Sequence, residues 1–230
     1  MEISGEAVTA RGIGVRGPRG PVFENVDLDV SAGGLLVVHG PGGSGRTSLL
    51  LALAGRMRLH TGAVEVGRHR CPGRGARHVR RLVALARADG AVDLEGRLRT
   101  SEVIAERCWL ERDVTPRRVV EAARRVGLRL RPESLVEDLG PLDALLLAVA
   151  LALAARPPVL VVDSLDRDCP AEDREHAWQA LEAVRACGCT VLAAATDPPA
   201  APADGAALLA LPRRHTGRPT APTAAKETAA

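Results

Sequence analysis

Apolar residues along the chain gather in short unbroken runs at Leu35-Leu36-Val37-Val38, Val159-Leu160-Val161-Val162 and residues 190–195, TVLAAA, which read as strands buried on both faces. Segments 6–15 and 21–30 mix β-branched and apolar residues on either side of the turn signal GPRG, and predict an antiparallel pair. Residues 63–67 and 82–87 are two further strand candidates. The spacing changes to a helical one at Thr47–Arg56, across 100–128, where TSEV and TPRRVVEAARRVGL each place a Ser or Thr before apolar positions, and at 170–186. Residues 142–155 are almost continuously apolar, but the stretch is shorter than the roughly 20 residues of a membrane span and predicts a buried core helix. Strands alternating with helices argue for an α/β fold around a parallel sheet. The end, 213–230, is rich in Pro, Thr and Ala, and is expected to be a disordered C-terminal tail after a single domain over 1–212.

Composition narrows the functions available to this pattern. The 230 residues are 46% hydrophobic and 26% charged, a globular balance that fits neither a disordered nor a membrane-embedded chain. The only Lys is Lys226, the only Gln is Gln179, and the aromatic residues are Phe23, Trp109 and Trp178. A mechanism built on a central Lys is therefore excluded. So few aromatic faces also argue against base stacking, and no nucleic-acid partner is expected. The net charge of +3 is too small to mark a polyanion binder. Arg68, Arg70, Arg74, Arg77, Arg80 and Arg81, with His69 and His78, form a local cluster; it reads as a solvated loop, with phosphates or anionic headgroups as the alternative contact. Five cysteines with no CxxC pair argue against a disulfide framework and a structural zinc site, and Cys187 and Cys189 read as small buried thiols. The first residues, MEISGEAVTARG, lack a signal-peptide pattern, so a cytoplasmic location is expected.

The chemistry concentrates at Gly40-Pro41-Gly42-Gly43-Ser44-Gly45-Arg46-Thr47-Ser48, between a predicted strand and a predicted helix. It matches the phosphate-loop pattern GxxxxGK[ST] with Arg46 in the Lys position. Glycines let backbone N–H groups turn toward phosphate oxygens, the following helix adds its positive N-terminal end, and Thr47 is placed to ligate Mg²⁺. Asp163, closing the strand at 159–162, is the candidate carboxylate for the same Mg²⁺.

With GPGGSGRTSLL at 40–50, HTGAVEVG at 60–67, RLRTSEVIAER at 97–107, ARPPVLVVDS at 155–164, GCTVLAAATD at 188–197 and PADGAALLAL at 202–211, the chain resembles the nucleotide-binding subunits of ATP-binding cassette (ABC) transporters. The resemblance covers about residues 6–212. It implies a P-loop NTPase fold with an N-terminal antiparallel β subdomain and an inserted helical subdomain at about 92–140. It also implies ATP and Mg²⁺ as cofactors, homo- or heterodimers of nucleotide-binding domains, and a transmembrane permease subunit as partner on the inner face of the cell membrane.

Several positions depart from the family pattern. Ser164 stands where the family has its catalytic Glu, Leu139-Gly140-Pro141-Leu142-Asp143 where it has LSGGQ, and Thr196 where it has the switch His. The family Gln falls near Ala86 or Arg87, and no aromatic lies in 12–16 to stack on adenine. No catalytic residue is assigned, and ATP hydrolysis is expected to be weak or lost. The competing expectation is a soluble nucleotide-binding regulatory module with the same fold and no transport role.

Overall fold

The computed structural model describes residues 1–200 and 205–212; the expected tail at 213–230 lies outside the described residues. Along the chain run β1 (Val8–Gly17), β2 (Gly20–Val30), β3 (Leu35–His39), α1 (Arg46–Leu53), β4 (Thr61–Val66), β5 (His69–Cys71), α2 (Ala76–Leu82), β6 (Val83–Arg87), α3 (Thr100–Leu110), α4 (Pro116–Arg125), α5 (Pro141–Leu153), β7 (Val159–Val162), α6 (Ala171–Arg185), β8 (Thr190–Ala195) and β9 (Ala207–Ala210).

Two sheets result. The antiparallel sheet has the order β2-β1-β4-β5, and β1 pairs with β2 from Val8 opposite Val30 to Gly17 opposite Gly20. Its alternation is one-sided: Val26, Leu28 and Val30 are buried while Asp27 and Asp29 face solvent. The parallel sheet has the order β6-β7-β8-β3-β9. Its central strands are buried on both faces, as unbroken apolar runs require. Leu35 and Val37 of β3, Leu160 and Val162 of β7, and Val191 and Ala193 of β8 join one core with α4, α5 and α6. Leu36, Val38, Val159, Val161 and Leu192 join the other, with α1 and the antiparallel sheet.

Helix α5 carries the apolar stretch at 142–155. Every residue from Leu145 to Leu153 is buried, so the helix is apolar all round because it has no solvent face over that length. Among the described residues no helix is long and apolar enough to cross a membrane. The α3–α4 pair is inserted between β6 and α5. Thr115 caps α4 by accepting from the Arg118 N–H at 3.3 Å, with Pro116 in the first turn. The start of α3 differs from the expected Thr or Ser cap: Arg99 occupies the cap position, and its N–H donates to the Glu102 carboxylate at 2.7 Å.

The arginine cluster at 68–81 is only partly the expected loop: Arg68 and Arg74 lie in turns, Arg70 in β5, and Arg77, Arg80 and Arg81 in α2. Cys71 closes β5, α2 buries only Val79, and the rings of His69 and His78 stack at 4.6 Å across the two elements. Its six arginines are solvent-exposed, as a charged surface should be. Phe23 (2% exposed), Cys187 and Cys189 lie in the core.

Candidate functional site

Residues 40–48 wrap from the end of β3 to the start of α1. The chain enters the loop through Gly40, whose N–H donates to the Thr196 carbonyl at 3.1 Å and whose φ of +148° suits glycine. An added Cβ there would run onto the Leu211 carbonyl oxygen. Gly42 and Gly43, by contrast, face open space, with nothing within 4 Å of an added Cβ. Gly43 at φ +78° and Gly45 at φ +94° hold the loop in a left-handed turn, and Gly45 caps α1 without a side-chain hydrogen bond. No acidic residue sits in the first turn of α1, so the positive helix end and its free amides are left to an anion.

Two buried polar atoms in this loop, the Ser44 hydroxyl oxygen and Nη1 of Arg46, have no hydrogen-bond partner among the described residues. Unsatisfied buried donors cost of the order of 1–3 kcal/mol each, and a bound phosphate would relieve them. The residues present therefore fit a phosphate chain. Pro41 and Ser48 complete the loop, Pro41 through its carbonyl, which accepts from the Ser44 N–H at 3.2 Å.

Strands β3 and β7 are separated in the sheet by β8, and the loop and Asp163 meet across its carboxyl end, the crevice where open α/β sheets present ligands. The Thr47 hydroxyl donates to Oδ2 of Asp163 at 2.6 Å. Asp163 is fully buried and is held by two more donors, the Ser164 N–H at 2.9 Å and the Asp89 N–H at 3.1 Å. Thr47 and Asp163, the two residues singled out for Mg²⁺, are thus in direct contact. They are also the right kind of donors, because Mg²⁺ takes few protein oxygens and fills its remaining positions with water and phosphate. Among the described residues no group of three or more His, Cys, Asp or Glu is arranged to hold a metal without such help.

What surrounds Asp163 was not visible in the motif. Arg87 ends β6 and is 5% exposed, with its Nε–H donating to the Asp163 carbonyl at 3.2 Å and Nη2 to the Ser164 carbonyl. Burial, with the nearby Arg167 charge, pulls its pKa below the usual guanidinium range. Arg167 spans from the segment after Asp163 to the loop after β6, pairing with Asp89 and Asp93 at 2.7 Å each, and those contacts raise its pKa. Ser164 itself takes a left-handed φ of +50°. Asp166 accepts from the Thr196 N–H at 2.8 Å, while Asp168 is exposed and lies 3.8 Å from Arg167. The sequence marked Arg87 by its place in an otherwise apolar strand, near the position of the family Gln, and gave no sign of its contact with Asp163.

The segment at 139–143 forms the entry to α5, with Gly140 as cap and Pro141 and Asp143 in the first turn. Pro141 supplies no N–H, and the Asp143 carboxylate already answers the positive helix end, so this terminus is a poor anion site.

Residues 23–165 match the family model described as ABC transporter. A cytochrome c biogenesis ATP-binding export protein of Pseudomonas putida is 30% identical over 161 residues, covering 67% of this chain and 74% of the relative. A phosphonates import ATP-binding protein of Thiobacillus denitrificans is 29% identical over 167 residues, covering 68% of this chain. That match spans 64% of the relative, so the chain accounts for just under two thirds of its length. Among solved structures, cbiO1 from Clostridium perfringens, part of an ABC transporter complex, superposes with a TM-score of 0.69 at 16% identity, over 83% of this chain and 78% of that one. At that identity the likeness is one of fold.

Proposed function

Because this chain belongs to the ABC transporter family, we propose that it is an ATP-binding subunit that holds Mg-ATP at residues 40–48 and turns it over weakly or not at all. The observation that carries this reading is the contrast within one site. The loop leaves Ser44 Oγ and Arg46 Nη1 unpartnered among the described residues, beside a Thr47–Asp163 contact of 2.6 Å, while the position after Asp163 is a serine. Thr47 and Asp163 would hold Mg²⁺, and the loop amides, Ser44 and Arg46 would hold the phosphates. Bound there, Mg²⁺ supplies charge neutralisation for the phosphate chain.

Water activation is what the site lacks. A serine hydroxyl is too weak a base at neutral pH to accept the proton of an attacking water. Neither nearby carboxylate is placed to substitute: Asp166 is engaged by the Thr196 N–H, and Asp168 is exposed beside Arg167. Arg46 keeps the positive charge of the usual Lys, but its planar fork makes different hydrogen bonds to phosphate. The subunit would act as a homodimer or as the less active half of a heterodimer, and the entry to α5 would contribute little to a partner's γ-phosphate.

Coupling to a transmembrane permease would place the subunit at the inner face of the membrane. That partner is supported by a groove of about 280 Å³ between α3, α5 and residues 92–95, lined by the 61% exposed Leu110, and by the 83% exposed Trp109 on the same helix. Calorimetry with Mg-ATP tests the binding half of the reading: saturable heat is expected from the wild type and a loss of at least tenfold in affinity from Asp163→Ala. No heat from the wild type at millimolar ATP would overturn it. For the turnover half, phosphate release should rise in the Arg46→Lys, Ser164→Glu double variant above that of the wild type.

A further inference from the structure

A second cationic cavity lies at the opposite, amino-terminal edge of β6 and β7. It has a volume of about 450 Å³, and its walls include Arg56, Arg80, Arg81, Arg107 and Arg156, against a single carboxylate, Glu111. That carboxylate is taken by Arg107 at 3.3 Å. The contacts of Arg56 and Arg80 are to neutral acceptors. Arg56 donates to the carbonyls of Ala54 and Arg80 at 3.1 Å each, and Arg80 to the Gly55 carbonyl at 3.3 Å. Nε of Arg107 is buried and has no hydrogen-bond partner among the described residues. Arg156 reaches Glu121 only at 4.0 Å, and its backbone sits at φ +56°, a left-handed position where glycine is the usual occupant.

The fold explains why so many cations can collect here. Helices α1, α2, α3 and α5 all end at this cavity, and a helix C-terminus carries about half a negative charge. Four such ends and the one lining carboxylate do not balance five guanidinium groups, even with Glu121 4.0 Å from Arg156. The surplus shows at Arg56, whose pKa is lowered by burial and by the charge of Arg80.

We propose that this cavity is an anion-binding site for a phosphoryl group, distinct from the loop at 40–48. Guanidinium groups bind phosphoryl oxygens through paired N–H donors, and the volume lies within the range of small-ligand pockets, about 300–1,000 Å³. Free phosphates and lipid headgroups share this chemistry.

The test titrates inorganic pyrophosphate into the full chain at low salt, by calorimetry, for three proteins: the wild type, Arg56→Gln/Arg81→Gln in the cavity, and Arg46→Gln in the loop. A second arm measures flotation with phosphatidylglycerol–phosphatidylcholine vesicles and with phosphatidylcholine alone. The single variant Arg81→Gln and a thermal melt of each protein guard against a folding defect. Pyrophosphate binding that survives Arg46→Gln and weakens at least tenfold in the cavity variant identifies a free phosphoryl ligand. Cavity-dependent flotation restricted to phosphatidylglycerol vesicles, without pyrophosphate binding at the cavity, identifies a headgroup. Binding in both arms that is indifferent to the cavity substitutions, or no binding in either arm, overturns the proposal.

Discussion

Replacing Thr47 by Val keeps the shape of the side chain and removes only the hydroxyl that donates to Asp163 at 2.6 Å. Asp163 is fully buried, and its carboxylate rests on three donors. After the substitution Oδ2 keeps the Asp89 N–H alone, at 3.1 Å. A hydrogen bond to a charged group is worth about 1.5–3 kcal/mol net. Thr47 is only half-buried, so water can partly replace the hydroxyl and the lower end of that range applies. For a chain of this length about 1.5 kcal/mol corresponds to roughly 3–6 °C in Tm. The assay is calorimetric melting of the ligand-free protein, with Asp163→Asn and the double variant completing a thermodynamic cycle. A coupling of about 1.5 kcal/mol between the two positions is expected. A Tm within a degree of the wild type, or strictly additive effects, would refute the idea that Thr47 and Asp163 form one energetic unit before any ligand arrives.

Two other substitutable or titratable positions give independent checks. Gly40→Ala sets a Cβ against the Leu211 carbonyl at a φ of +148°, so urea unfolding should show a loss of about 1–3 kcal/mol; unchanged stability would mean that the loop entry can shift freely. Burial pushes the Cys189 thiol up from 9.0 to about 12. Its folded pKa thus lies above the unfolded one, and the folded state holds the proton longer. The contribution of Cys189 is therefore full below about pH 9 and falls by roughly 1.4 kcal/mol per pH unit above it. Denaturant midpoints measured from pH 8 to 10.5 in wild type and Cys189→Ala should diverge in slope, and parallel curves would contradict the buried-thiol assignment.

Much of this fold was readable because burial on both faces leaves an unbroken signal. The strands at 35–39, 159–162 and 190–195 have no solvent side to interrupt their apolar runs, and α5 has none over Leu145–Leu153. Elements that bury little were not readable. Helix α2 hides only Val79, so its sequence looks like a charged loop, and β5 is too short to establish a period. In the site, the glycine loop and Asp163 follow from local spacing. The shell around them does not, because Arg87 and Arg167 find their partners in segments more than 70 residues distant. A buried arginine that donates to backbone carbonyls leaves no complementary charge in the sequence to announce it.

The central claim, that the site holds Mg-ATP and lacks the means to cut it, reduces to the identity of the nucleotide that stays bound. Purified wild-type protein is incubated with Mg²⁺ and radiolabelled ATP, separated from free nucleotide, and the bound nucleotide is resolved by chromatography. Intact ATP retained by the protein is the expected result. Protein that retains no nucleotide, or that accumulates ADP and free phosphate over repeated turnovers, would contradict the account.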